Sequence, residues 1–155
     1  MSIEARLAEM GLTLPLPAAP VAAYVPVVEA GGLLHVSGQI PFRTDGSLIT
    51  GRLGESIDVA GGIEAARRCG LMIVAQLGQA LGGDFTRIER IVKLGVFVNS
   101  VPGFTDQPKV ANGASELMVA LFDEAGRHAR SAVGVAELPL GVAVEVDAIV
   151  AIRPA

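Results

Sequence analysis

The chain has 155 residues, the usual length of one domain, and 51% of them are apolar, which excludes a disordered chain. The net charge of −4 leaves no basic face for nucleic acid. The single cysteine, Cys69, excludes an intrachain disulfide, and no Cys/His cluster has metal-ligand spacing. The N-terminus lacks the order of a secretory signal and the apolar stretches are too short to span a membrane. We therefore expect a cytoplasmic protein that needs no metal or organic cofactor.

The mean hydropathy of +0.53 is high for a soluble chain of this size. One explanation is apolar surface that is covered in a subunit interface. The other is an Ala/Val-rich composition that raises the average without any interface. Composition alone leaves both explanations open.

In chain order, the first predicted element is a short helix, with Ser2 placed to cap it. Residues 1–14 form this N-terminal helical extension, and residues 15–155 form a single domain that starts with the stiff connector Pro15–Pro20. Gly31-Gly32 lies between two β-rich runs and is typical of a hairpin. The predicted elements are helix 3–10, strands 25–29 and 33–37, helix 59–81, strand 88–99, helix 110–124, and strands 129–136 and 142–152.

Either Ser56 or Asp58 is placed to cap the longest helix. Gly70 and Gly78 lie inside this helix and cost about 1 kcal/mol each relative to alanine, so we expect it to pack tightly on strands. Residues 102–108 read as an irregular loop. The order ββ-α-β-α-ββ predicts a two-layer α+β fold, with two helices on one face of a mostly antiparallel sheet.

Several chemistries have no motif in this sequence. There is no glycine-rich dinucleotide or phosphate loop and no Gly-x-Ser-x-Gly elbow for a serine nucleophile. His35 lies in a strand, where a satisfied strand histidine is a better interpretation than a ligand.

Two charged residues stand in apolar strands, Arg130 and Glu145. An arginine at a strand end offers a planar fork to a carboxylate, and a glutamate in apolar surroundings gains a raised pKa and can orient water. The simpler interpretation makes both of them solvent-facing strand residues. The pattern alone favours the simpler one.

Four segments resemble the Rid family, the reactive intermediate deaminases, also called YjgF-like and formerly known as perchloric-acid-soluble endoribonucleases. They are Ala19-Pro20 with Tyr24; Val36–Pro41; Val92-Lys93 with Val96–Val98; and Ala129–Val133 followed by Leu138-Pro139 and Val144–Val146. The resemblance runs from about Pro20 to the end of the chain. It implies a chorismate-mutase-like α+β fold and a homotrimer, with inward-facing sheets and sites in the clefts between subunits.

The resemblance also assigns the site. The family arginine matching Arg130 grips the substrate carboxylate, and the glutamate matching Glu145 helps to position water. The substrate-binding positions carried over are Tyr24, Ser37, Gly38, Asn112 and Ala132, with Asn112 as the candidate for the family's cleft asparagine.

The reaction implied is hydrolysis of a 2-imino acid, or its enamine tautomer, to a 2-keto acid and ammonia. The alternatives are a trimer that binds a small acid without chemistry and, more weakly, an endoribonuclease. Three departures indicate a divergent, longer branch: His128 replaces the usual Pro or Ala, the segment 100–115 is longer, and an N-terminal helix is added. For His128 we favour a place at the rim of the cleft over narrowing the cleft or binding a ligand.

Overall fold

A five-stranded mixed sheet carries two long helices, residues 59–80 and 107–122, side by side on one face, and a short N-terminal helix packs against the second of them. The computed structural model describes residues 1–17, 19 and 22–155. The helices and strands are α1 (Ile3–Glu9), β1 (Val27–Ala30), β2 (Leu33–Gln39), α2 (Val59–Ala80), β3 (Ile88–Asn99), α3 (Gln107–Phe122), β4 (Ala129–Val135) and β5 (Val144–Ile152). The predicted two-layer α+β fold is confirmed, and the sheet is open.

The strand order is β1-β2-β5-β3-β4. Neighbouring strands are antiparallel except β3 and β4, which run parallel. Helix α3 makes the crossover that a parallel pair requires. The mostly antiparallel sheet is thus confirmed, and β4 is left at an edge, with β3 between it and β5.

Local sequence signals set several element ends where the pattern predicts them. Of the two candidate caps, Asp58 rather than Ser56 starts α2, and its carboxylate accepts a 2.7 Å hydrogen bond from the Gly61 amide. Gly31-Gly32 joins β1 to β2 with φ of 59° and 75°, the left-handed pair that a tight two-residue hairpin needs.

The predicted start of α3 at Val110 is wrong, because the helix begins at Gln107. Pro108 lies in the first turn, where a residue without an N–H costs nothing, since the first amides of a helix have no intrahelical acceptor. The proline therefore starts the helix rather than belonging to the loop before it. This earlier start places the first turn of α3 beside β4.

Helix α2 packs on the sheet against β5 and β2, as expected, but its interior glycines do not face the strands. A Cβ added at Gly70 would lie 3.0 Å from Leu117 Cδ2 of α3, and one at Gly78 would lie 2.9 Å from Phe85 Cζ. From the other side, a Cβ at Gly113 of α3 would collide with the backbone carbonyl of Ile63. Gly70 and Gly113 thus let α2 and α3 approach each other closely.

The N-terminal helix joins the same hydrophobic core as the sheet. Ser2 caps α1 as predicted, accepting from the Ala5 amide. Leu7 is buried in the core cluster, and Arg6 pairs with Asp123 at 2.6 Å. The connector predicted for 15–20 lies in part outside the described residues and stays a prediction.

Candidate active site

Arg130 lies on the edge strand β4 and faces the helical layer. Its Nη1 donates to Asn112 Oδ1 at 2.8 Å and to Ser115 Oγ at 3.0 Å, and its Nη2 donates to the Pro108 carbonyl at 3.3 Å. All three acceptors belong to α3. The candidate residue Asn112 is therefore in direct contact with Arg130, which the sequence spacing alone left open.

The partners of Arg130 are an amide oxygen, a hydroxyl and a backbone carbonyl, all of them neutral. Among the described residues no carboxylate forms an ion pair with this guanidinium. The side chain is half-buried, so its charge is neither fully hydrated nor neutralised within the chain. A half-buried, unneutralised guanidinium is a good receptor for a carboxylate.

His128 is half-buried behind this contact, and its place at the rim of an intersubunit cleft stays a prediction. Its Nδ1 is 2.6 Å from the Gly126 carbonyl oxygen, and its Nε2 is 2.9 Å from Ser115 Oγ. Its pKa lies below the usual range, first because burial disfavours the imidazolium and also because the charge of Arg130 is near, against a bond to Gly126 that acts the other way. This histidine is therefore held neutral beside the arginine.

Glu145 projects from β5 towards the opposite, open face of the sheet. Beside it β2 carries a bulge: Val36 pairs with Ala148 and Gln39 with Val146, so that Ser37 and Gly38 stand against Asp147 alone. Gly38 lies in this bulge, and the Glu145 carboxylate occupies the space that a Cβ at Gly38 would need. Because Gly38 has no side chain, it leaves room for the Glu145 carboxylate.

The carboxyl groups of Glu145 and Asp147 share the open face, and the pKa of each is raised. For Glu145 the main cause is desolvation and the second is the negative charge of Asp147. For Asp147 desolvation again dominates, partly offset by a hydrogen bond from the Gly95 amide and by the charge of Lys93. Such carboxyl groups hold a proton more readily than exposed ones and can exchange it with a water molecule.

A cleft of about 570 Å³ lies on the same open face. The candidate residues Tyr24 and Ser37 line it, together with Ser131 from the edge strand and the pair Lys93 and Asp147. Asp147 was not predicted as a site residue. Its alternation with Glu145 at a period of two was the available signal.

A single chain does not bring all the candidate residues into one site. Arg130 of β4 pairs with Leu94 of β3, and Leu94 pairs on its other side with Ala148 of β5. Glu145 of β5 pairs with Phe97, three residues further along β3. The two charged groups also point to opposite faces of the sheet. Ala132, on the Arg130 side of β4, packs against the core. One copy therefore carries two separate groups of candidate residues, an arginine edge and a carboxylate face.

Other site chemistries find no support in the part of the chain that the structure describes. No group of three or more His, Cys, Asp or Glu side chains is arranged to hold a metal ion. Cys69 is buried, and burial raises the pKa of its thiol well above the usual range, so it acts as a core residue. No helix there is long and apolar enough to cross a membrane.

An open five-stranded mixed sheet in this strand order, with two helices on one face, is a chorismate-mutase-like fold. The family model described as "YjgF/chorismate_mutase-like, putative endoribonuclease" matches residues 4–150. This chain belongs to that family, the YjgF or Rid-type proteins, and the resemblance drawn from the sequence is confirmed.

Three known proteins place the chain within the family. Protein TCP17 of Trypanosoma cruzi is 54% identical over 149 residues, covering 96% of this chain and 92% of that protein. The crystal structure of Atu1372 of Agrobacterium tumefaciens, a protein of unknown function, superposes with a TM-score of 0.91 at 49% identity, covering 97% of this chain and 94% of that one. The 2-iminobutanoate/2-iminopropanoate deaminase of Dermatophagoides farinae is 26% identical over 144 residues, covering 92% and 95%.

Proposed function

We propose that this protein hydrolyses 2-imino acids, or their enamine tautomers, to 2-keto acids and ammonia, with Arg130 gripping the substrate carboxylate. The observation that carries the proposal is the set of neutral partners around Arg130, which leaves its charge to an outside ligand. The deaminase of D. farinae, similar along most of this chain, supports the same chemistry. The family includes imine deaminases, and the activity of this member is the proposed part.

The chemistry needs little from the protein. The imine carbon is already electrophilic, so orientation of the substrate and a placed water supply much of the acceleration. Glu145 accepts a proton as water attacks and forms the C–O bond. It returns this proton to nitrogen to give the carbinolamine, and then passes the proton of the new hydroxyl to the same nitrogen, so that the carbonyl forms, the C–N bond breaks and ammonia leaves. The raised pKa of Glu145 favours both transfers, because the carboxyl group takes up and holds a proton more readily than an exposed one.

The proposed site lies between subunits of a homotrimer whose sheets face inward. The support is the separation of the two groups on one chain, since a second copy is needed to bring a carboxylate face to an arginine edge. Apolar side chains on and beside the open face remain exposed, among them Val25 at 60%, Val28 at 49% and Val133 at 46%. An interface there would bury them and accounts for the high mean hydropathy. The cytoplasmic location stays a prediction.

The test is release of keto acid from enzymatically generated 2-aminoacrylate and 2-iminobutyrate. Arg130→Ala removes two charge-assisted hydrogen bonds of about 1.5–3 kcal/mol each, so kcat/KM should fall by about 10²–10⁴. Arg87→Ala is the matched control, because Arg87 is also half-buried and donates to a backbone carbonyl, yet lies before β3. Equal turnover by wild type and Arg130→Ala would refute the carboxylate clamp.

A second candidate is a trimer that binds a small acid without turning it over. It is favoured by the relatives of high identity, TCP17 at 54% and Atu1372 at 49%, neither of which carries an enzymatic name. Saturable thermal stabilisation by 2-ketobutyrate, with no acceleration of imine hydrolysis, would establish it. An endoribonuclease is the weakest candidate, because the RNA backbone would meet the carboxyl group of Asp147 in the cleft and the net negative charge of the chain. Cleavage of single-stranded RNA at 150 mM salt would revive it.

A further inference from the structure

The guanidinium of Arg130 has five N–H donors, and α3 uses three of them. Both hydrogens of Nη1 are taken, by Asn112 and Ser115, and one hydrogen of Nη2 goes to the Pro108 carbonyl. Within the described ranges no acceptor contacts Nε or the second hydrogen of Nη2. An end-on grip of a carboxylate needs a hydrogen from Nη1. Nε–H and the second hydrogen of Nη2 are therefore the donors left for a ligand.

The direction of each hydrogen bond behind Arg130 follows from chemistry. A carbonyl oxygen only accepts, so the contact between His128 and Gly126 places the ring proton on Nδ1. Nε2 of the neutral ring then accepts from the Ser115 hydroxyl. With its proton committed to His128, Ser115 Oγ presents a lone pair to Arg130 Nη1. The histidine thus fixes the rotation of the hydroxyl that holds the arginine.

Packing sets the position of this relay, the hydrogen-bonded series from the Gly126 carbonyl through His128 and Ser115 to Arg130. Gly126 is buried, and any side chain there would collide with the backbone of Met118 on α3, so the carbonyl that orients His128 cannot shift freely. The other charged residues nearby are engaged elsewhere: Arg127 pairs with Glu124 at 3.0 Å, and Arg90 of β3 donates to the Glu124 carbonyl. Arg130 is the charged group that acts on the His128 ring.

We propose that Ser115 and His128 are positioning residues that lock the Arg130 guanidinium, so that a ligand carboxylate meets it side-on through Nε and Nη2. This inference rests on the proposed function in one respect, that the ligand carries a carboxylate. It assigns a task to His128, which stands where the family pattern has Pro or Ala. The guanidinium grips the carboxylate equally in the ground state and in the transition state. Loss of the relay should therefore change KM rather than kcat.

The first test uses the protein without ligand and needs no activity. The chain has two histidines, so ¹⁵N NMR of the rings, with His35→Gln for assignment, reads the tautomer and pKa of His128 directly. We expect the proton on Nδ1. Because Ser115 Oγ bridges them, His128 and Arg130 lie within about 6 Å, where charges shift each other's pKa, so Arg130→Gln should raise the pKa of His128.

Arg87→Gln is the control and should leave the pKa of His128 unchanged. A proton on Nε2, or a pKa of His128 that does not respond to Arg130→Gln, would overturn the relay. Both results are independent of whether the protein turns over any imine.

The second test measures kcat and KM with 2-iminobutyrate. Ser115→Ala should raise KM about tenfold and change kcat less than twofold. His128→Gln keeps an acceptor near the place of Nε2 and should rescue most of the KM, whereas His128→Asn keeps only the donor near Nδ1 and should behave like Ser115→Ala. A merely structural role would not separate the two histidine variants.

The outcomes separate the two proposals. If wild type turns over the imine and all three variants match it, the positioning role is wrong and the deaminase proposal stands. If wild type neither binds nor hydrolyses any carboxylate, the proposed function fails, and the NMR result alone decides whether Arg130 is locked by the relay.

Discussion

Gly38→Ala is a single-methyl change that should separate the position of Glu145 from the stability of the fold. The backbone of Gly38 lies outside the left-handed region, so alanine is tolerated conformationally. The added methyl would occupy the space now held by the Glu145 carboxylate. The end of a flexible side chain is what must move, not the backbone of β5. The variant should therefore fold normally, with Glu145 rotated away from its place above the bulge.

The expected effect of Gly38→Ala on stability is much smaller than its expected effect on activity. Replacing glycine in a strand gains about 0.5–1 kcal/mol through the unfolded chain, and turning Glu145 off its rotamer costs about 0.5–1.5 kcal/mol. The unfolding free energy should thus change by less than about 1 kcal/mol. Displacing a general base lowers the reaction rate by about 10²–10⁴-fold. Activity should be lost while stability is kept.

Gly78→Ala is the control away from the site. A Cβ at Gly78 would lie 2.9 Å from Phe85 Cζ, so there too a side chain must move to make room. The assays are keto acid release and urea unfolding of both variants and of wild type. Full activity in Gly38→Ala, or an equal loss in both variants, would refute the assignment of the water-positioning role to Glu145.

Two further predictions concern stability. Because the folded state raises the pKa of Glu145, it binds more protons than the unfolded state between the ordinary and the raised value. The unfolding free energy of wild type should fall as pH rises through that window. Glu145→Gln should flatten this fall in urea titrations across pH; an unchanged slope contradicts the desolvation argument. Gly113→Ala should lose about 1–2 kcal/mol, since overpacking against the Ile63 carbonyl exceeds the gain in helix propensity. Gly70→Ala, which meets only a Leu117 methyl, should lose less.

Local rules account for the parts of the fold that the sequence predicted correctly. The long strand from Ile88 to Asn99 has the bounds predicted from its β-branched run, and α2 begins at one of its two candidate caps. The predicted start of α3 and the predicted neighbours of the glycines in α2 were wrong. Both depend on which surface packs against the helix, and no periodicity within one segment reports that.

The sequence alone determined the class of fold and the family, because alternation, caps, turn glycines and the segments around Ser37, Arg130 and Glu145 are written within short stretches of chain. Only the tertiary structure decided the site. It placed β3 between β4 and β5, which separates Arg130 from Glu145. It also brought Asn112 and Ser115 onto one guanidinium nitrogen, with His128 behind Ser115. These contacts join residues from different elements, so they arise from how α3 crosses the sheet and not from any local pattern.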